Sequence, residues 1–190
     1  MKSADVLRHV AAAAILVFSA TGALAQHGAE PDAGKAVVSD PKNAGNRPIW
    51  RTQNVVLLQP DAVLAQLGAD VEDLASYIRA VQRAAERALQ GDPAPASGFF
   101  VFAVRPGKRS MLWFDFRPGL PEPIMDRLRA AILAVAPCQV RNGVMVFAIN
   151  VTLWNAPPRQ GLPSPAEWRA AMQGEEKSMR IESLIDRIWP

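Results

Sequence analysis

The chain has 190 residues, 49% of them hydrophobic, and its 21 basic and 18 acidic side chains give a net charge of +3. This balance is too close to neutral for a nucleic-acid-binding protein, which normally presents a dense basic face. The single cysteine, Cys138, excludes an internal disulfide, so the domain must be stabilised by its hydrophobic core. A lone cysteine with no neighbouring base is typical of a buried, inert thiol.

The first 25 residues have the pattern of a cleavable secretory signal peptide. Lys2 and Arg8 supply positive charge, residues 10–18 carry no polar side chain, and residues 23–25 (Ala-Leu-Ala) form a small-residue cleavage site. The apolar run is too short for a membrane anchor, because a spanning helix needs about 20 apolar residues. We therefore expect cleavage near Ala25, a periplasmic or secreted location, and no transmembrane segment in the mature chain.

The chain after the predicted cleavage site divides into a leader and one domain. Residues 26–48 contain Gly, Pro, Asp and Asn without apolar periodicity, which is typical of a flexible leader. Residues 49–190 are predicted to form a single domain. Its first elements are a strand at residues 54–58 and a short helical turn at residues 61–67.

A long amphipathic helix is predicted from residue 71 to residue 89. Apolar side chains recur along it at three- and four-residue steps: Val71, Leu74, Ile78, Val81, Ala85 and Leu89. Asp70 is a suitable N-cap, and Gly91 and Pro93 end the helix.

The centre of the chain predicts a β-hairpin followed by a helix and a strand. Residues 99–104 are continuously apolar, as in a strand covered on both faces, and a Pro-Gly turn follows. Residues 110–117 alternate, which predicts the second hairpin strand. An apolar helical face at residues 124–135 and a long strand at residues 144–154 complete this region.

The C-terminal part, residues 164–189, is predicted to be helical, with Ser164 as N-cap, Pro165 at the first helical position and Glu167 completing a capping box. The whole pattern predicts an α+β fold: a small, mainly antiparallel sheet with a hairpin-helix-strand core at residues 98–157, packed by helices in a two-layer or three-layer sandwich. The helix at residues 124–135 is expected to cover one sheet face and the helix at residues 71–89 the other.

The side chains that most catalytic mechanisms need are missing. Of the two histidines, His9 falls in the predicted signal peptide and His27 in the leader, so no rigid imidazole can assist a nucleophile. One cysteine and one distant histidine do not make a zinc site, and no Gly-rich phosphate-binding motif follows a strand. We therefore predict no catalytic residue, no metal site and no cofactor.

Basic side chains on and beside the hairpin are the first candidate binding group: Arg105, Lys108, Arg109 and Arg117. They could hold an anionic lipid or glycan, and a solvated hairpin tip is the alternative.

Trp113 and Asp115 form the second candidate group, on one face of the same predicted strand. Asp115 lies between two phenylalanines, so burial could raise its pKa and make it a general acid. An ion pair with a neighbouring arginine is the simpler alternative. Trp113 could belong to an exposed recognition face or to the core.

Residues 98–157 resemble the TonB C-terminal domain family in their order of elements. The resembling features are Met125-Asp126, Ala130-Ala131, Pro137 and the strand residues 146–149. Members of this family are periplasmic βαβ-type modules. The resemblance implies contact with another envelope protein by edge-strand pairing, through residues 144–154.

Two classes of function remain open. The first is a non-catalytic periplasmic binding or protein-interaction module, of which an inhibitor or immunity protein would be a special case. The second is a hydrolase or lyase that depends on carboxylates, with Asp115 as the leading candidate. Binding of an anionic lipid or glycan through the hairpin is a further alternative.

Overall fold

The computed structural model of the protein describes residues 15–16, 49–91, 93–174 and 179–190. Its elements are β1 (Ile15–Leu16), β2 (Trp50–Leu57), α1 (Asp61–Leu67), α2 (Val71–Ala88), β3 (Ala96–Arg105), β4 (Arg109–Arg117), α3 (Glu122–Leu133), β5 (Met145–Leu153), α4 (Ala166–Ala171) and α5 (Ile181–Ile188). The α+β fold is thus as predicted. Apart from β1, the predicted signal peptide and leader lie outside the described residues. No helix within these ranges is long and apolar enough to cross a membrane.

The strands form one open antiparallel sheet in the order β1-β2-β5-β3-β4. β5 lies between β2 and β3, so its main chain is paired on both sides within the protein. The expectation that residues 144–154 pair with a partner at a sheet edge is therefore wrong. The sheet ends instead at β4 on one side. On the other side the last long strand is β2, and the two-residue strand β1 pairs only with its Val55 and Val56.

Helices α2 and α3 pack side by side on the first face of the sheet. Val81 from α2 and Leu128 from α3 are fully buried in the same core as Phe102 and Phe147, whose rings stack with centroids 5.0 Å apart. The expectation that these helices cover opposite faces is wrong. An apolar stripe shows that a helix is packed on one side, but it does not specify which sheet face it covers.

The second face is covered by the C-terminal helices α4 and α5, which makes the protein a three-layer sandwich. Trp168 of α4 and Ile185 of α5 are buried against Val101 and Trp113. The two tryptophan rings meet edge to face, with centroids 5.7 Å apart and an interplanar angle of 68°. The continuously apolar β3 thus has the cover on both faces that its sequence requires.

The N-terminus of α2 is capped as predicted, but that of α4 is not. Asp70 Oδ1 accepts a hydrogen bond from the Asp73 amide at 2.9 Å. Helix α4 has Pro165 at its N-cap position and no side-chain cap. The Ser164 amide donates to Asp115 Oδ2 at 2.7 Å. The segment before α4 is therefore fixed by β4.

Candidate interaction surface

The six candidate binding residues lie in three separate environments: Arg105, Lys108 and Arg109 at the hairpin turn, Trp113 and Asp115 in the interior, and Arg117 at the far end of β4. The structure does not bring them together into one site. Each environment has its own geometry and chemistry.

The hairpin turn between β3 and β4 contacts the C-terminal helix α5. Gly107 and Lys108 have φ angles of 79° and 56°, so the chain reverses through the left-handed region and places Arg105 opposite Arg109. The Nη2 atom of Arg105 lies 2.6 Å from Oδ1 of Asp186 on α5. The Arg105 guanidinium also lies 4.7 Å from the centre of the Trp189 ring. Arg105 is thus engaged inside the protein.

Lys108 and Arg109 remain exposed at this turn, and no carboxylate of the described residues pairs with them. Arg109 lies 5.8 Å from the Trp189 ring centre. A shallow cavity of about 310 Å³ between the hairpin and α5 is lined by Arg109 together with Glu182 and Asp186. Because its walls carry both signs of charge, the cavity is not a simple anion site.

Trp113 belongs to the core. It is 5% exposed and packs against Trp168, so it presents no ring to solvent for recognition.

Asp115 is buried and fully engaged. It is 7% exposed, and its Oδ1 atom lies 2.9 Å from Arg159 Nη1. The same Nη1 atom donates to the Asp115 main-chain oxygen at 2.7 Å. Since Oδ2 accepts from the Ser164 amide, both carboxylate oxygens have partners. This geometry is that of a structural ion pair.

Arg159 is the residue that sequence reasoning missed. It is 44 residues from Asp115, in a proline-rich connection that has no periodicity to indicate where its side chains point. Its only sequence signal is a lone arginine between Pro158 and Gln160, which is not specific.

Two further titratable groups are buried, and neither is activated. Burial raises the pKa of the Cys138 thiol to about 12 and that of the Tyr77 hydroxyl to about 12. A thiol with this pKa is not a nucleophile near neutral pH. Within the described ranges, no three His, Cys, Asp or Glu side chains are grouped to hold a metal ion.

The outer edge of β4 is one of two strand edges that the described chain leaves open, the other being the outer side of β2 beyond its two-residue pairing with β1. Strand β4 is nine residues long, and no other strand of the described chain pairs with its outer side. In an antiparallel strand, every second residue then directs its N–H and C=O groups away from the sheet. Exposed arginines, Arg109 and Arg117, stand at its two ends. Arg129 of α3, which is partly exposed and pairs with Asp126, lies 5.1 Å from the centre of the Phe114 ring. The edge is therefore bordered by positive charge.

The described surface is poor in apolar side chains. Val71, at 62%, and Leu162, at 37%, are the large hydrophobic residues exposed on it. They lie singly, in α2 and in the connection before α4. Contact through a broad apolar patch is therefore not available on this part of the chain.

Comparison with known proteins gives no family assignment: no protein-family model, curated protein or solved structure matches this chain.

Proposed function

We propose that this chain is an exported, non-catalytic binding module of the cell envelope, which pairs an extended segment of a partner protein with the outer edge of β4. The observation that carries the proposal is the nine-residue edge strand, which is unpaired on its outer side in the described chain. Such an edge offers main-chain hydrogen bonds to an added strand.

The surroundings of β4 support this mode of contact. Both faces of the sheet are covered by helices, and the described surface has no broad apolar patch. A partner protein can then make an extended contact by pairing its main chain with an open strand edge such as that of β4. Because Lys108, Arg109 and Arg117 flank the strand, the segment that fits best carries acidic residues at both of its ends.

The N-terminal signal pattern supports export of the chain. The resemblance of residues 98–157 to TonB C-terminal domains supports contact by strand addition, now assigned to β4 instead of β5. The ion-paired state of Asp115 favours binding over carboxylate catalysis.

Charge reversal at the strand ends tests the proposal. A photo-crosslinking residue at Ser110 should capture a dominant partner from native envelope, and Arg109→Glu with Arg117→Glu should weaken that complex about tenfold or more. The matched control is Arg51→Glu, which changes an exposed arginine on β2. Hydrogen exchange should show protection of β4 amides in the complex. Equal loss with Arg51→Glu, or a complex that leaves β4 amides unprotected, would contradict the proposal.

A second candidate function is binding of an anionic lipid or glycan at the hairpin tip. It is favoured by the exposed Lys108 and Arg109, which no described carboxylate neutralises. Binding to vesicles of an anionic lipid should then weaken steeply with salt and disappear in Lys108→Glu. Binding that is insensitive to salt would rule this function out.

A further inference from the structure

The second face of the sheet has a polar half that the proposed strand pairing does not use. Four polar side chains on it are only 4–7% exposed: Ser97, Asp115, Asn150 and Thr152. Asp115, Phe99, Asn150 and Asn54 stand in one row across β4, β3, β5 and β2. Directly opposed residues share a sheet face, so these four side chains are neighbours.

Two hydrogen-bond acceptors in this row have no donor among the described residues. The Oδ1 atoms of Asn54 and Asn150 are both buried without a partner in the structure. Buried polar atoms in native proteins are nearly always hydrogen-bonded, because an unpaired one loses its contact with water without replacement. Together with the Asp115 carboxylate and the face of the Phe99 ring, the row presents acceptors and a π surface, a combination that attracts cations.

The protein places one of its own cations there. We name residues 155–164, which connect β5 with α4, the strap. The Arg159 guanidinium in the strap lies 5.4 Å from the centre of the Phe99 ring and binds Asp115 through Nη1. The Arg159 main-chain oxygen accepts from Asn150 Nδ2 at 3.1 Å. Arg159 thus satisfies the carboxylate and covers the ring, but it reaches neither amide oxygen.

We propose that this polar row is a binding site for an organic guanidinium group, and that Arg159 is an internal substitute that the ligand displaces. A guanidinium is planar and has donors on three nitrogens, so a freely placed one can bind the carboxylate, stack on the ring and also reach Asn150 Oδ1 on the next strand. Arg159 makes the first two of these contacts and leaves Asn150 Oδ1 without a donor.

The polar contacts of the strap with the sheet include the Arg159–Asp115 ion pair and the hydrogen bonds from Asn150 Nδ2 to the Arg159 oxygen and from the Ser164 amide to Asp115 Oδ2. A competing cation can replace the first of them. The chain enters the strap through Trp154 and Asn155, with φ angles of 47° and 58°, and Gly161 in its middle has φ of 103°. These turns keep the strap outside the strand ladder. Its displacement therefore leaves the pairing of β5 with β2 and β3 intact.

The test is a titration of the whole protein with methylguanidinium, followed by the NMR signals of the Asn54 and Asn150 side-chain amides. Methylurea, which has a similar shape but no charge, is the matched control ligand. Arg159→Ala should bind methylguanidinium at least about tenfold more tightly than the unchanged protein does, because the internal competitor is gone. Arg127→Ala, on the exposed side of α3, should bind as the unchanged protein does. Asp115→Asn should abolish binding.

Two further ligands distinguish the source of the guanidinium. Free arginine represents a small-molecule ligand, and N-acetylarginine amide represents an arginine side chain within a polypeptide. Tighter binding of the first assigns the site to a metabolite, and tighter binding of the second assigns it to a partner protein.

Equal shifts with methylurea and methylguanidinium in folded Arg159→Ala would overturn the proposal. If Arg159→Ala does not fold, Arg159→Lys and the unchanged protein undergo the same titration. Absence of charge-dependent shifts at Asn54 and Asn150, up to the concentration at which methylguanidinium begins to unfold the protein, would overturn it as well.

Discussion

The Asp115 carboxylate and the Arg159 guanidinium lie 2.9 Å apart, with side-chain exposures of 7% and 16%. Removing one charge from such a pair leaves the other partly buried and uncompensated. Asp115→Asn should therefore lower the free energy of unfolding by about 3 kcal/mol, measured by chemical denaturation. The control, Asp126→Asn, breaks an exposed pair with Arg129 and should change it by less than about 0.5 kcal/mol. Equal effects of the two substitutions would contradict a structural role for Asp115.

Gly98 allows β3 and β4 to approach closely. A Cβ atom at this position would collide with the Asp115 main-chain oxygen and lie 2.6 Å from Phe116 Cα. Because both contacts are with main chain, Gly98→Ala should destabilise the protein by about 2 kcal/mol or more. Gly119→Ala is the control, since nothing lies within 4 Å of a Cβ there. A melting temperature unchanged by Gly98→Ala would show that β4 can move away from β3 without loss of stability.

Trp189 joins α5 to the hairpin. Its ring receives the guanidinium groups of Arg105 and Arg109 and packs against the second-face core. Trp189→Ala should destabilise the protein by about 1–2 kcal/mol and increase hydrogen exchange in α5. Asp186→Asn should have a smaller effect, because the Asp186 side chain is 70% exposed. The opposite order of effects would show that the ion pair, and not the ring, holds the helix.

Cys138 should be inert in the folded protein. Its pKa is raised by burial to about 12, so an aromatic disulfide reagent at pH 8 should detect the single thiol only after denaturation. Rapid labelling of the native protein would contradict this prediction.

The same shift predicts a loss of stability in alkaline solution. The unfolded thiol has a pKa of 9.0 and releases its proton first as pH rises, so the unfolded state is favoured increasingly from pH 9 up to about 12. Cys138→Ala removes this contribution. Its unfolding free energy should therefore fall less steeply over that window, although Tyr77 continues to act in the same direction from pH 10 to about 12.

The local elements could be predicted from the sequence because their signals are short-range. The periodicity from Val71 onward predicts α2, Asp70 predicts its cap, and the alternation of Leu112, Phe114 and Phe116 predicts β4. All three are confirmed. Such patterns depend only on residues a few positions apart, which a sequence shows directly.

The arrangement of these elements could not be predicted in the same way. Assigning α2 and α3 to one face depends on packing between residues far apart in the chain, such as Val81 and Leu128. The central place of β5 depends on pairing with two strands at once. The partner of Asp115 comes from a connection without periodicity, so the ion pair with Arg159 became visible only in three dimensions.

The central position of β5 determines when the sheet can form during synthesis. Strands β2 and β3 are not neighbours, and the strand that joins them, β5, becomes available only when residues 145–153 have emerged. Among the four long strands β2, β5, β3 and β4, only β3 and β4 can pair before then, as a hairpin. Closing such distant contacts is slow, since the intervening loops must be ordered first. A chain truncated before residue 145 should therefore remain largely unfolded, and the sheet should form only when the last quarter of the chain has been made.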